Sequence, residues 1–473
     1  MVQVNGNRVR VASVGGAGSG PRSAPRGALG PASRRVALAA LLWAAWWPAG
    51  CGGDDAEADA TADADAPGDG EAVGDADADA DRDVPTETER EADAGAEDDG
   101  GAEGEADADV PDVAPAMNAL VVLTSDYATG GVSLIDLDTG DTAPAVIVDA
   151  ATAHGDAMLA CGPAEDRSFH VVERLGADRV RRFRVTATGV EETAVLELDD
   201  GTNPQDLIPL SVGEWAVPLY ERNDLLFLAG DLSGVAEAVD LSALADTADG
   251  LCEMHRGVEW GGRLYVSVQR LDRGGPMWVP TGPGVLAVVD LSGTGGTPAL
   301  VDLDPGTAGV QGVALAGANP VGPVRVVGEG SAARMLVATV GAYGENDGGL
   351  EAVDDPDAET SAGFVVTEAD LGGDIGDWVV LEGGMGFAVV TAGFAEDRLV
   401  RFDAETGEVD AAPLRVSGAY TLSGLADAGG GRLAVGDRTP GSSGVRLFDP
   451  ATGSERTAAP IEVGLPPVAA CRP

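Results

Sequence analysis

Two of the chain's three histidines, His154 and His255, stand at matching places in loops that lead into apolar strands. Cys252 and Met254 sit beside His255, so nitrogen and soft sulfur donors suited to copper or another transition metal are close in sequence. Asp156 follows His154 by two residues and can orient its ring for general-base work. Against both readings stands a plainer one, in which each histidine hydrogen-bonds a neighbouring strand. That reading leads, and no metal or cofactor is expected. Asp156, Asp206 and Asp377 recur at one place in these loops. A ring of acids can hold a cation, but a short acid there can also cap the backbone of its own turn, and capping is the expectation. Arginine supplies the remaining chemistry. Arg174, Arg222, Arg256 and Arg270 fall in turns or loop entries, and each offers a planar donor fork to a carboxylate, phosphate or sugar hydroxyl. The opposing view is that an arginine merely neutralises its neighbour, as in Glu173-Arg174 and Glu221-Arg222. His170, inside Phe169-His170-Val171-Val172, reads as structural. There is no serine nucleophile elbow, no phosphate-binding glycine loop and no repeated quinone-docking tryptophan motif.

These residues are placed by a repeat. A polar or glycine turn, an apolar run and a Thr-Gly or Ser-Gly stop appear first as Gly130-Gly131-Val132-Ser133-Leu134-Ile135-Asp136-Leu137-Asp138-Thr139-Gly140. The pattern returns from Asp178, Asn223, Pro283, Gly348, Asp397 and Ser443. A period of roughly 45 to 65 residues, each unit holding several short strands, marks an all-β, seven-bladed β-propeller. A second series gives the loop and strand that follow each unit. It runs through Ala153–Leu159, Asn203–Ile208, Met254–Val258, Gly309–Leu315, Asp374–Val380, Thr421–Leu425 and Gly464–Ala469. In this alignment Gln311 joins His154, Asp206, His255 and Asp377 on the rim of the central channel.

The second series resembles the Pro-x-Gly-apolar signature of YVTN-type seven-bladed propellers over residues 117–473. Leu264-Tyr265-Val266-Ser267-Val268 comes nearest to the tetrapeptide that names them. What the resemblance implies is architecture, not an activity. In such a ring each blade's first strand lines the channel, and its entry loop shares a face with the turn between the second and third strands. The first repeat begins with a second-strand sequence, Leu120-Val121-Val122-Leu123-Thr124, and the last residues, Pro467-Val468-Ala469-Ala470-Cys471, read as an innermost strand. Pairing the two closes the ring and removes its open edges. Trp215, Trp260, Trp278 and Trp378 are expected to pack between blades. Cys161 and Cys471 end like strands in adjoining blades, which permits a disulfide, although like positions on neighbouring inner strands are often too far apart.

The first 116 residues read differently. Residues 1–50 carry only positive charge and then the apolar run Val36–Trp47, too short to span a bilayer but suited to a signal peptide. The run closes on Pro48-Ala49-Gly50-Cys51, which resembles the bacterial lipobox. That resemblance implies lipidation of Cys51 and membrane attachment through the lipid. Residues 51–116 are expected to form a disordered acidic tether. Between 54 and 113 roughly two dozen acids face only Arg82 and Arg90, with too little apolar surface to offset ordering entropy.

A formal charge of −50, with 79 acids against 29 bases, excludes a nucleic-acid partner. The resulting expectation is a monomeric envelope lipoprotein, lipid-anchored at the outer membrane. Its propeller binds a protein or small-molecule ligand through the channel rim at His154, Arg174, Arg222, His255, Arg256 and Arg270. The alternative is a lactonase-like hydrolase with its site at the channel mouth.

Overall fold

The computed structural model describes residues 117–162, 166–275, 278–292 and 296–473. The expected signal peptide, Cys51 and the tether lie outside these residues. Within them the chain is all-β and forms seven antiparallel blades. The second to seventh blades open with the inner strands Ala157–Cys161, Ile208–Pro209, Met254–Trp260, Pro320–Val327, Asp374–Val380 and Leu422–Asp427. In the first blade, strands Ala119–Ser125, Thr129–Asp136 and Val146–His154 are completed from the other end of the chain by Pro467–Cys471. Val121 pairs with Cys471, Val122 with Ala470 and Leu123 with Ala469. The ring closes as its two terminal sequences require.

Burial across a blade explains the residue choice in each strand. Ala119–Ser125 and Leu433–Asp437, both second strands, are buried at every position because neighbouring blades cover both faces. In the outermost strand Val190–Glu197, Val190, Ala194 and Leu196 are half-buried while Glu191, Glu192, Glu197 and Val195 are exposed. Each core cluster joins two blades. Leu120, Val122 and Ile135 of the first pack on Ala434, Val445 and Leu447 of the seventh. Trp378 of the sixth, 1% exposed, packs with Leu336 and Ala338 of the fifth. Burying one such side chain contributes about 1.5–3 kcal/mol, so the ring is held by its inter-blade seams.

The inner strands carry the feature that matters for the site. Met254–Trp260, Pro320–Val327, Asp374–Val380, Leu422–Asp427 and Pro467–Cys471 each shift register against the second strand, whereas Ala157–Cys161 and the two-residue Ile208–Pro209 do not. Met254 pairs with Val268 and Gly257 with Val266, leaving His255 and Arg256 in a bulge. Ile375 and Asp377 pair with Val390 and Val389, leaving Gly376 extra. A bulge turns side chains out of the ladder and frees backbone N–H groups. Crowding around the channel sets a further demand. Gly424 has φ of 60°, and a Cβ there would meet Ala469 Cα at 2.9 Å, so only glycine fits.

One alignment in the sequence series is corrected. Gly309–Leu315 does not open the fifth blade: Val313–Ala314 pairs with Val285 and Leu286 on the outer side of the fourth blade's third strand. The fifth inner strand is Pro320–Val327, paired with Arg334–Thr339. The physical cue is Asn319-Pro320, which matches Asn203-Pro204. Both asparagines take a left-handed conformation, φ 52° and 49°, where asparagine is tolerated. Gln311 therefore leaves the rim, and its amide reaches Ala308 O at 3.3 Å.

Cys161 and Cys471 form a disulfide with Cα atoms 6.0 Å apart. The two inner strands approach this closely because the residues between them are small or slender. Ala157, Leu159, Val468 and Ala469 share one cluster with Cys161.

Candidate functional site

The entry loops and the turns between second and third strands lie on one face, around the channel mouth. His154 ends the outermost strand of the first blade. Its Nδ1 lies 3.1 Å from Asp156 O, and its backbone N donates to Glu173 Oε1 at 3.0 Å. The Asp156 carboxylate faces Arg174 instead, which donates from Nε at 2.9 Å and from Nη2. Arg174 also donates from Nη1 to Gln205 Oε1 at 2.6 Å, tying the second blade to the entry of the third. Asp156 thus meets the His154 ring through its backbone and not through its carboxylate.

Arg256 and His255 occupy the bulge of the fourth inner strand. Arg256 Nη1 lies 3.3 Å from Asp206 Oδ1 in the third blade, and Nη2 lies 3.5 Å from the sulfur of Met158 in the second. A thioether is a weak acceptor, so this guanidinium is thinly satisfied. Its Nε is buried with no hydrogen-bond partner among the described residues, and the same holds for His255 Nδ1 and Arg270 Nε. Burial pulls the Arg256 pKa below its ordinary value, opposed first by Asp206, with the Arg174 charge adding to the pull. His255 is held well below the usual histidine range, by burial first and then by Arg256 and Arg174. At neutral pH it is an uncharged ring beside two guanidinium groups.

Asp206 and Asp377 cap backbone, with a reach beyond their own turns. Asp206 accepts from Leu207 N at 2.9 Å and from Gly257 N of the next blade at 3.2 Å. Asp377 accepts from Trp378 N at 2.8 Å and from Leu425 N of the next blade at 2.8 Å. Each acid therefore buckles one blade's inner strand to the bulge of its neighbour.

The Glu-Arg neighbours do not pair with each other. Glu173 is fully buried and joins Arg179 and Arg181, while Arg174 takes Asp156. Glu221 receives Arg273 at 3.0 Å, and Arg222 beside it is exposed. Backbone direction explains this, because adjacent side chains in a turn point apart and the partner arrives from another loop. Cys252 and Met254, grouped with His255 as soft donors, both lie in a core cluster. The Cys252 thiol donates to Leu241 O at 3.1 Å, and burial pushes its pKa up to about 12. Among the described residues the carboxylates that gather are Asp246, Asp249 and Glu253, a trio with no signal in the repeat. Trp215 packs between blades against His170, centroids 4.4 Å apart. Trp278 instead stacks on Tyr220, centroids 6.2 Å apart.

No protein-family model and no curated protein matches the chain. Among solved structures it is similar to apo AztD from Citrobacter koseri, with 16% identity over 75% of this chain and 97% of that one, at a TM-score of 0.44. A putative 6-phosphogluconolactonase from Bacteroides fragilis aligns at 14% identity over 75% and 97%, at a TM-score of 0.48. Dihydro-heme d1 dehydrogenase NirN aligns at 16% identity over 75% of each chain, at a TM-score of 0.46. The seven blades counted above, rather than these likenesses, make the described part of the chain a seven-bladed β-propeller.

Proposed function

We propose that the propeller is a binding module whose ligand presents a carboxylate or similar oxyanion to the channel mouth. One observation carries this reading. The Arg256 guanidinium is set into the channel by a strand bulge, with a 3.3 Å contact to Asp206 and a thioether as its partners. An oxygen acceptor from a ligand would replace the sulfur, and a charged donor bonded to a charged acceptor is worth roughly twice a neutral pair. Arg174 and the neutral His255 stand beside it.

The hydrolase alternative has less support, since the Asp156 carboxylate goes to Arg174 and leaves His154 on a backbone carbonyl. The same proposal keeps the protein in the cell envelope, attached through a lipid on Cys51. The Cys161–Cys471 disulfide supports an oxidising compartment.

The experiment is calorimetric titration of citrate and of inorganic phosphate into the wild-type protein and into Arg256→Ala. One of the two anions should bind the wild type, and the variant should bind it at least tenfold more weakly with a nearly unchanged melting temperature. Equal binding by both proteins, no binding by either, or a variant that loses stability instead, refutes the assignment.

A further inference from the structure

The channel wall carries another guanidinium, deeper than that of Arg256. Arg325 lies on the fifth inner strand, Pro320–Val327, beside the fourth inner strand, Met254–Trp260, that carries Arg256. Strand register sets the two depths. In the fourth, fifth and sixth blades the inner strand begins at the pairs Met254–Val268, Pro320–Thr339 and Asp374–Thr391. Two second-strand residues further down come the pairs Gly257–Val266, Val324–Val337 and Asp377–Val389. Gly257, Val324 and Asp377 therefore share one level. Arg256 stands just above it, in its bulge, and Arg325 just below it, paired with Leu336. At about 3.3 Å of rise per residue, the two arginines are offset by about 7 Å along the channel.

Arg325 has donors to offer. It is exposed and makes neither a hydrogen bond nor an ion pair among the described residues. Its guanidinium carbon lies 5.9 Å from the ring centroid of Trp378 on the sixth inner strand, a contact that holds the side chain toward that strand. The carboxylate at the level between the two arginines is committed elsewhere. Asp377 gives one oxygen to Trp378 N and the other to Leu425 N, each at 2.8 Å. Burial pushes its pKa up, opposed first by Leu425 N and then, among others, by the charges of Arg325 and Arg256. Asp377 therefore lies in the field of both guanidinium groups, and neither forms an ion pair with it among the described residues.

We propose that the channel takes a dicarboxylate, with one carboxylate on Arg256 and the second on Arg325 deeper in. This rests on the anion reading of the channel mouth and adds to it a ligand class and a further binding residue. A short carbon chain spans the offset between the two arginines, passing Asp377 with its uncharged middle. Each planar fork can hold its carboxylate through paired N–H donors.

The test is calorimetric titration of the full chain with glutarate and with butyrate, which share a three-carbon chain and differ in the second carboxylate. The wild type should bind glutarate at least tenfold more tightly than butyrate. Arg325→Ala should bind glutarate no more tightly than butyrate, with its butyrate affinity unchanged from the wild type. Arg256→Ala should weaken both acids. Arg325→Gln keeps a stem over Trp378 and should behave as Arg325→Ala does; it takes the place of that variant if the alanine protein does not fold. A wild type that binds glutarate no more tightly than butyrate overturns the dicarboxylate assignment. So does an Arg325 variant that keeps the glutarate preference, and in both cases Arg256-dependent binding of citrate or phosphate leaves the anion reading standing. Failure of every one of these anions to bind the wild type overturns both.

Discussion

Replacing Cys161 and Cys471 together by serine should test how the ring is held closed. The disulfide joins positions separated by 310 residues, so it removes more chain entropy from the unfolded state than almost any cross-link in a domain of this size can. The loop-closure relation gives about 5–6 kcal/mol for that length, and this is an upper value because the strand pairing of Val121–Leu123 with Ala469–Cys471 stays in place. Unfolding entropy for this many residues is about 0.75 kcal/mol per kelvin, so the melting temperature should fall by up to about 8 °C. The assay is calorimetry of the oxidised wild type, the reduced wild type and the double variant, with peptide mapping of the disulfide. Mapping should find Cys161 joined to Cys471 and Cys252 as a buried thiol. Coincident melting curves for all three samples, or a free Cys161 in native protein, would refute the reasoning.

Three further outcomes follow from named contacts. Asp377→Ala leaves Leu425 N in the next blade without its 2.8 Å acceptor, and should lower stability by about 1–3 kcal/mol in urea titration. His170 is pulled to about 3 by burial and then by the Arg182 charge, while the unfolded ring titrates near 6.5. Between those values the unfolded state binds the extra proton, so stability falls as pH drops below 6.5. His170→Leu should flatten that acid limb in melts from pH 7 to 4. Cys51→Ser should move the protein from the membrane to the soluble periplasmic fraction, and unchanged fractionation would remove the lipid anchor from the account.

The ring was legible in the sequence because each blade repeats the same demands. Second strands covered on both faces must be continuous apolar runs, as in Leu120-Val121-Val122-Leu123, and a closed ring must pair its ends, as Pro467–Cys471 does. The fifth inner strand was not legible by alignment of glycines. Gly312 is required by a different crowding, since a Cβ there would lie 2.2 Å from Leu286 O at a blade's outer edge, and so it imitates the inner-strand position. Partner choice among charges was also hidden. Glu221 pairs with Arg273, more than fifty positions away, and no local pattern shows that two loops converge there. The bulges that aim His255, Arg256 and Asp377 inward depend on strand register, which the residue order alone leaves open.

The central claim, an anion-binding channel mouth, is tested most directly by crystals of the protein soaked in citrate or phosphate. The account predicts density within hydrogen-bond distance of the Arg256 guanidinium, displacing it from the Met158 sulfur, with Arg174 or His255 as a second contact. Anion density confined to exposed arginines elsewhere, with Arg256 still against Met158, would contradict it.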